Sequence, residues 1–157
     1  MFKHPEQALR FAYKMREKSI ISRPSGVYQE KINMPSPDKR TLTAFDFHAQ
    51  AGMIFSFLDR QSDVEQAFCL LHYGTPIERK VGARYLSSHI PLPTALSDRH
   101  QLRKALMGNS VRRVANDVGI SNYKAWKLRK ELWGSLEPIM LKLYSSLGRW
   151  AGLEGYA

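Results

Sequence analysis

The chain has 157 residues, of which 43% are hydrophobic and 24% charged, as is typical of one folded domain rather than a disordered segment. No apolar run approaches the roughly 20 residues of a membrane helix, and charges interrupt the first 18 residues, which argues against a secretory signal. The single cysteine, Cys69, excludes an internal disulfide framework and fits a reducing compartment, so we expect a cytoplasmic protein.

The formal net charge is +10, and it is concentrated in one short window. Residues 99–130 contain nine Lys or Arg residues and one acid, Asp117, for a local net charge of +8. Residues 51–98 and 131–157 each have a net charge of −1. A basic window of this kind attracts polyanions, and nucleic acid is the most plausible partner.

The N-terminal third divides into a helix and a loop. Residues 5–20 predict a first helix, because Leu9, Phe11, Ala12 and Met15 recur at helical spacing. Residues 21–41 contain three prolines and several serines and basic residues, which predicts a long loop or an extended basic arm. We therefore interpret residues 1–41 as an N-terminal helix and arm, and 42–157 as a helical domain.

The middle of the chain predicts three further helices, over residues 42–60, 62–74 and 75–90. We expect Thr43 to cap the first of them, with Asp46 three residues later. Gly74 marks the end of the second, and Thr-Pro-x-Glu opens the third. The predicted core faces are Phe45, Ala49, Met53 and Phe57 with Ile54 and Leu58 beside them, followed by Val64, Ala67, Phe68 and Leu71.

The last third continues in helical periodicity after the proline-rich break at 91–94. We expect Gly134 to interrupt a long helix, Ser135 to cap a new one, and the closing residues 152–157 to fray. An apolar face is formed by Leu136, Ile139, Leu143 and Leu147. Since no alternating run is long enough to support a sheet, the sequence predicts an all-α fold that ends in a helix-turn-helix and carries a flexible basic arm.

Residues 110–132 have the pattern of a helix-turn-helix. Gly119 allows a left-handed turn without a Cβ penalty, Ile120 fills the joint, and Ser121 is an N-cap for the second helix. The apolar residues that set the angle between the helices are Val111, Val114, Ala115 and Val118 in the first helix and Ala125, Leu128 and Leu132 in the second.

This pattern leaves a polar outer face on the second helix, where such units meet the major groove of DNA. There Asn122 can read adenine, Lys127 can read guanine, and Tyr123 can touch a thymine methyl group or a phosphate. The predicted phosphate contacts are Arg112, Arg113, Lys124, Arg129 and Lys130. For Trp126 two interpretations stay open, stacking at DNA or packing against a neighbouring helix.

The order of elements resembles a known family of phage regulators. A helical half with "LTAFDFHAQAGMIFSFLDR" and "AFCLLHYG", followed by a terminal helix-turn-helix with a long last helix, is similar to the small zinc-free Q-type antiterminators of lambda-like phages and to related sigma-region-4-like proteins. The resemblance covers roughly residues 42–133, and relative to that layout "SSHIPLPTALSDRH" is an insertion.

The resemblance implies that the chain binds a DNA site near a late promoter and loads onto RNA polymerase in the bacterial host cell. The family's helix-turn-helix matches this sequence at Arg112, Arg113, Ser121, Asn122, Tyr123, Lys124 and Lys127. The alternatives are a structural DNA-binding subunit such as a small terminase, a plain repressor or activator, and a nucleic-acid enzyme.

Other chemistry finds little support in the sequence. Cys69 and His72 have C-x-x-H spacing, but a zinc site needs about four ligands and no second pair follows. We interpret Glu78 with Arg79 and Lys80 as an ordinary solvated group. Because the acids are scattered, and neither a phosphate-binding glycine loop nor a nucleophile elbow is present, we expect no catalytic residues, no metal, no cofactor and no enzymatic activity.

Overall fold

Helices make up the regular secondary structure of this computed structural model, which describes residues 2–21 and 44–156. Those residues contain no β-strand, so the predicted all-α class is confirmed. None of the described helices combines the length and apolar character needed to cross a bilayer. In chain order they are α1 (Pro5–Ile21), α2 (Ala44–Asp59), α3 (Asp63–Tyr73), α4 (Pro76–His89), α5 (Arg99–Met107), α6 (Val111–Val118) and α7 (Asn122–Trp150).

Local capping explains where the last five helices begin. Each of them follows a residue whose side-chain oxygen accepts a hydrogen bond from a backbone N–H of the first turn. At α4 the cap is reciprocal, since the Glu78 side chain also accepts from the Thr75 amide. The capping residues, from α3 to α7, are Ser62, Thr75, Asp98, Ser110 and Ser121.

One hydrophobic core joins all seven helices of the described ranges. Leu9 of α1, Phe68 of α3, Leu86 of α4 and Leu143 of α7 are fully buried in it. The long helix α7 contacts α1, α3 and α6, so its position is set along most of its length. The predicted arm, from residue 22 onward, lies outside the described residues.

The predicted core face of α2 is partly wrong. Met53 is 58% exposed, whereas Ala51, Ile54 and Leu58 are buried, as is Phe57. Apolar residues occur on almost every side of this helix, so helical spacing alone does not identify the face that packs. Ala49 is likewise exposed, and Thr43 and the side chain of Phe45 lie outside the described part of the chain.

The predicted break at Gly134 is also wrong, because α7 runs without interruption for 29 residues. Ser135 does not cap a helix; its hydroxyl donates to the Glu131 carbonyl at 3.2 Å. Even Pro138, which removes an amide donor, lies inside the helix. Packing of the buried apolar face, which includes Leu136 and Leu143, outweighs these local preferences.

A turn closes the C-terminal end of α7, in a part of the chain where the sequence predicts fraying. The Leu153 amide donates to the Gly148 carbonyl at 2.8 Å, and Gly152 has a left-handed φ of 68°. The Tyr156 ring lies against Gly148 so closely that a Cβ there would be 2.3 Å from Tyr156 Cγ. Leu153 and Tyr156 are therefore held against the end of α7, whereas the residues between them are exposed.

Candidate nucleic-acid interface

The junction between α6 and α7 is a tight turn of three residues. Gly119 has φ 79° and ψ 36°, the left-handed conformation expected from the sequence, and its amide donates to the Ala115 carbonyl at 2.8 Å. The Ile120 amide donates to the same carbonyl at 3.1 Å. Ser121 then caps α7 by accepting from the Lys124 amide at 3.3 Å. The turn fixes how α7 leaves α6.

The first turns of α7 have a buried side and an exposed side. Ala125, Leu128 and Leu132 are buried, and they face a core to which α6 contributes Val114 and Ala115. The nine residues predicted to contact DNA are all exposed: Arg112, Arg113, Ser121, Asn122, Tyr123, Lys124, Lys127, Arg129 and Lys130. The structure therefore leaves all nine predicted contacts accessible from solvent.

Aromatic rings and lysines lie in contact along the exposed side of α7. Lys127 Nζ lies 4.9 Å from the centroid of the Tyr123 ring, and Lys130 Nζ lies 4.1 Å from that of Trp126. The two rings stack with centroids 6.3 Å apart. These i, i+4 contacts hold the cations against aromatic faces without neutralising their charge. Trp126 is 45% exposed, so its indole is not part of the core.

The basic residues of the window have different roles. Arg99 donates to the carbonyls of Ser87 and Ile90, the latter at 3.0 Å, and so closes the end of α4. Arg113 pairs with Asp117 at 3.6 Å on the surface of α6. In the described ranges, Lys124 and Lys127 form no ion pair with an acidic group. Lys124 and Lys127, at the start of α7, are therefore exposed cations whose charge is available to a partner.

A cavity of about 650 Å³ lies beside this face, between α3, α5 and α7. Arg79 lines it, and its guanidinium donates to the Leu71 carbonyl at 3.2 Å, the Met107 carbonyl at 3.4 Å and Asn109 Oδ1 at 2.8 Å. Glu78 instead pairs with Arg16 of α1. The interpretation of Glu78 and Arg79 as part of an ordinary solvated group is therefore wrong, whereas Lys80 is exposed as expected.

Sequence reasoning did not find this cavity. Its walls come from helices that are distant in sequence, and they include Trp126, Arg129 and Trp133 of α7. The only local indication is the spacing of the two tryptophans, seven residues apart, which places them on the same side of a helix. That spacing does not show what lies opposite them.

The C-x-x-H pair does not form a shared polar site. Cys69 is buried, and its burial raises the pKa of the thiol to about 12. The His72 ring packs against Phe68 in a tilted arrangement, with ring centroids 4.4 Å apart. Desolvation lowers the pKa of the imidazole, and the Arg79 charge lowers it further, although the residue remains exposed. Within the described ranges no three His, Cys, Asp or Glu side chains are grouped so as to hold a metal ion.

Comparisons with known proteins give no relative for this chain. No protein-family model matches it, no curated protein is significantly similar to it, and no solved structure has a significantly similar fold.

Proposed function

We propose that this chain is a sequence-specific transcription regulator that binds double-stranded DNA, with α6 and α7 acting as a helix-turn-helix. The observation that carries the proposal is the two-sided start of α7. Its apolar side, with Ala125 and Leu128, is buried, and its other side exposes Asn122, Tyr123 and Lys127. A helix held in this way can enter the major groove with its first turns.

In this proposal the exposed residues divide into two groups. Asn122 and Lys127 read base edges, because amide and ammonium groups match adenine and guanine in the major groove. Arg112, Arg113, Lys124, Arg129 and Lys130 pair with phosphates and position the unit, and they are exposed cations of α6 and α7. Tyr123 adds a contact to a thymine methyl group or a phosphate.

The finer assignment is antitermination in a bacterial host cell, and it rests on the resemblance to Q-type phage antiterminators. On this proposal the bound chain loads onto RNA polymerase near a late promoter and carries it past terminators. A purified transcription assay tests the assignment with a terminator placed downstream of the bound site. Increased readthrough that depends on the site supports antitermination, whereas altered initiation without readthrough supports a plain activator or repressor.

Selection of bound DNA fragments by the purified protein tests the DNA-binding proposal itself. We expect a defined site, and we expect Asn122→Ala and Lys127→Ala each to relax preference at one base pair, with a loss of about 1–3 kcal/mol. Arg149→Ala is the matched control, because Arg149 is an exposed cation at the far end of the same helix. Unchanged DNA affinity and preference in folded Asn122→Ala and Lys127→Ala proteins would overturn the proposal.

A further inference from the structure

The cavity between α3, α5 and α7 has the chemistry of a site for a planar anion. Two half-exposed indoles line it, Trp126 at 45% and Trp133 at 46% exposure, together with the cations Arg79, Arg129 and Lys130. No Asp or Glu is among the residues that line it in the described part of the chain. Its volume, about 650 Å³, lies within the range of pockets that hold small molecules.

The two sides of the cavity supply different groups. On the α7 side one stripe of the helix places two cations, Arg129 and Lys130, between the rings of Trp126 and Trp133. Lys130 already lies over the Trp126 ring, whereas the neighbour of Trp133 is the His72 ring at 6.1 Å, in an edge-on arrangement. The Trp133 indole is thus the better placed of the two to accept a stacked ring.

On the opposite side, Arg79 is a preorganised cation. Three hydrogen bonds fix its Nε and Nη2 groups, and Nη1 donates to none of the described residues. An arginine held in this way binds a phosphate with little loss of side-chain entropy. Arg129 of α7 provides a second positive charge in the same cavity.

We propose that the cavity binds one nucleotide unit, in which an unpaired base stacks on Trp133 while its phosphate pairs with Arg79 and Arg129. This deepens the proposed DNA-binding function and rests on it for the choice of nucleic acid over other aromatic anions. The unit could belong to a single-stranded segment beside the duplex site or be a free nucleotide, since both present the same base and phosphate.

The experiment compares four probes by calorimetry: a blunt duplex, the same duplex with a short single-stranded tail, deoxyadenosine monophosphate, and polyglutamate. We expect the tail to increase affinity about tenfold, the usual scale of one stacked base. Trp133→Leu should abolish this increase and leave blunt-duplex affinity unchanged, while Trp133→Phe should retain it. Trp150→Leu is the matched control, because Trp150 is on the same helix, 39% exposed, and outside this cavity.

The possible results separate the two proposals. Monophosphate binding that is lost in Trp133→Leu, with no gain from the tail, supports the site and assigns it to free nucleotides. If neither the tail nor the monophosphate binds, the nucleotide site is overturned even where the blunt duplex binds well. Binding of polyglutamate in place of nucleotides also overturns it, in favour of an acidic protein segment. If the blunt duplex does not bind but the monophosphate does, the proposed DNA-binding function is overturned and the nucleotide site is supported.

Discussion

The hydroxyl groups of Tyr73 and Tyr144, 71 residues apart in sequence, share a hydrogen bond that connects the end of α3 to the second half of α7. The pKa of each phenol lies above its usual value, and burial is the largest cause of the increase. Since α7 also carries the proposed DNA-reading residues in its first turns, this bond helps to fix the helix on the rest of the protein.

Removal of the Tyr73 hydroxyl tests how much this contact contributes. We expect Tyr73→Phe to lower the free energy of unfolding by about 0.5–1.5 kcal/mol, the usual net effect of one hydrogen bond. Urea unfolding measures the change, and Tyr123→Phe is the control because Tyr123 is 63% exposed. In a double-mutant cycle, additive losses from Tyr73→Phe and Tyr144→Phe would show that the two hydroxyls do not interact in solution.

The buried thiol of Cys69 predicts a loss of stability at alkaline pH. Burial raises its pKa from 9.0 to about 12, so between these values the unfolded chain releases a proton that the folded chain keeps. Unfolding is therefore favoured as pH rises above about 9, by up to roughly 1.4 kcal/mol per pH unit. The raised pKa values of Tyr73 and Tyr144 add to the slope above about pH 10.

Cys69→Ala isolates the contribution of the thiol. The variant should be less stable at neutral pH because it leaves a small cavity, yet its stability should fall less steeply between about pH 9 and pH 10. Urea unfolding at a series of pH values gives both quantities. Parallel curves for the variant and the native chain would show that the thiol does not cause the slope.

Gly119 and Gly134 form a matched pair for testing the turn before α7. A Cβ atom at either position would meet no atom within 4 Å apart from its chain neighbours and the local helix backbone, but only Gly119 of the two has a positive φ. We expect Gly119→Ala to destabilise the protein by about 1–2 kcal/mol through backbone strain. Gly134→Ala should stabilise it by about 0.5–1 kcal/mol, because alanine favours a helix interior. Thermal unfolding of both variants measures the change in Tm, which should fall for Gly119→Ala and rise for Gly134→Ala. Shifts of Tm in the same direction would contradict the role of the positive φ at Gly119.

Features of the fold that depend on neighbouring residues could be predicted from the sequence. The helix start at Thr75, the Ser121 cap and the left-handed Gly119 follow from the sequence, because each acts on backbone groups within a few residues. The buried and exposed sides of the first turns of α7 followed from helical periodicity for the same reason.

Features decided by distant contacts could not be predicted. The continuity of α7 through Gly134 depends on packing against α1 and α3, which local propensity does not include. The cavity needs Arg79 held against Met107 and Asn109, about thirty residues further along the chain. Only the folded arrangement brings that cation opposite Trp133.

Arg113 tests whether α6 contacts the DNA backbone. Its side chain is 69% exposed and its partner Asp117 lies 3.6 Å away, an exposed pair that contributes little to folding. We expect Arg113→Ala to weaken binding to all DNA sequences alike and to lower the slope of log affinity against log salt by about 1, since one fewer counterion is released.

Asp117→Ala should have the opposite effect on affinity, because it leaves Arg113 free to pair with phosphate. Titrations at several salt concentrations measure both effects, with Arg149→Ala as the charge-matched control. Equal slopes for Arg113→Ala and Arg149→Ala would remove Arg113 from the proposed interface.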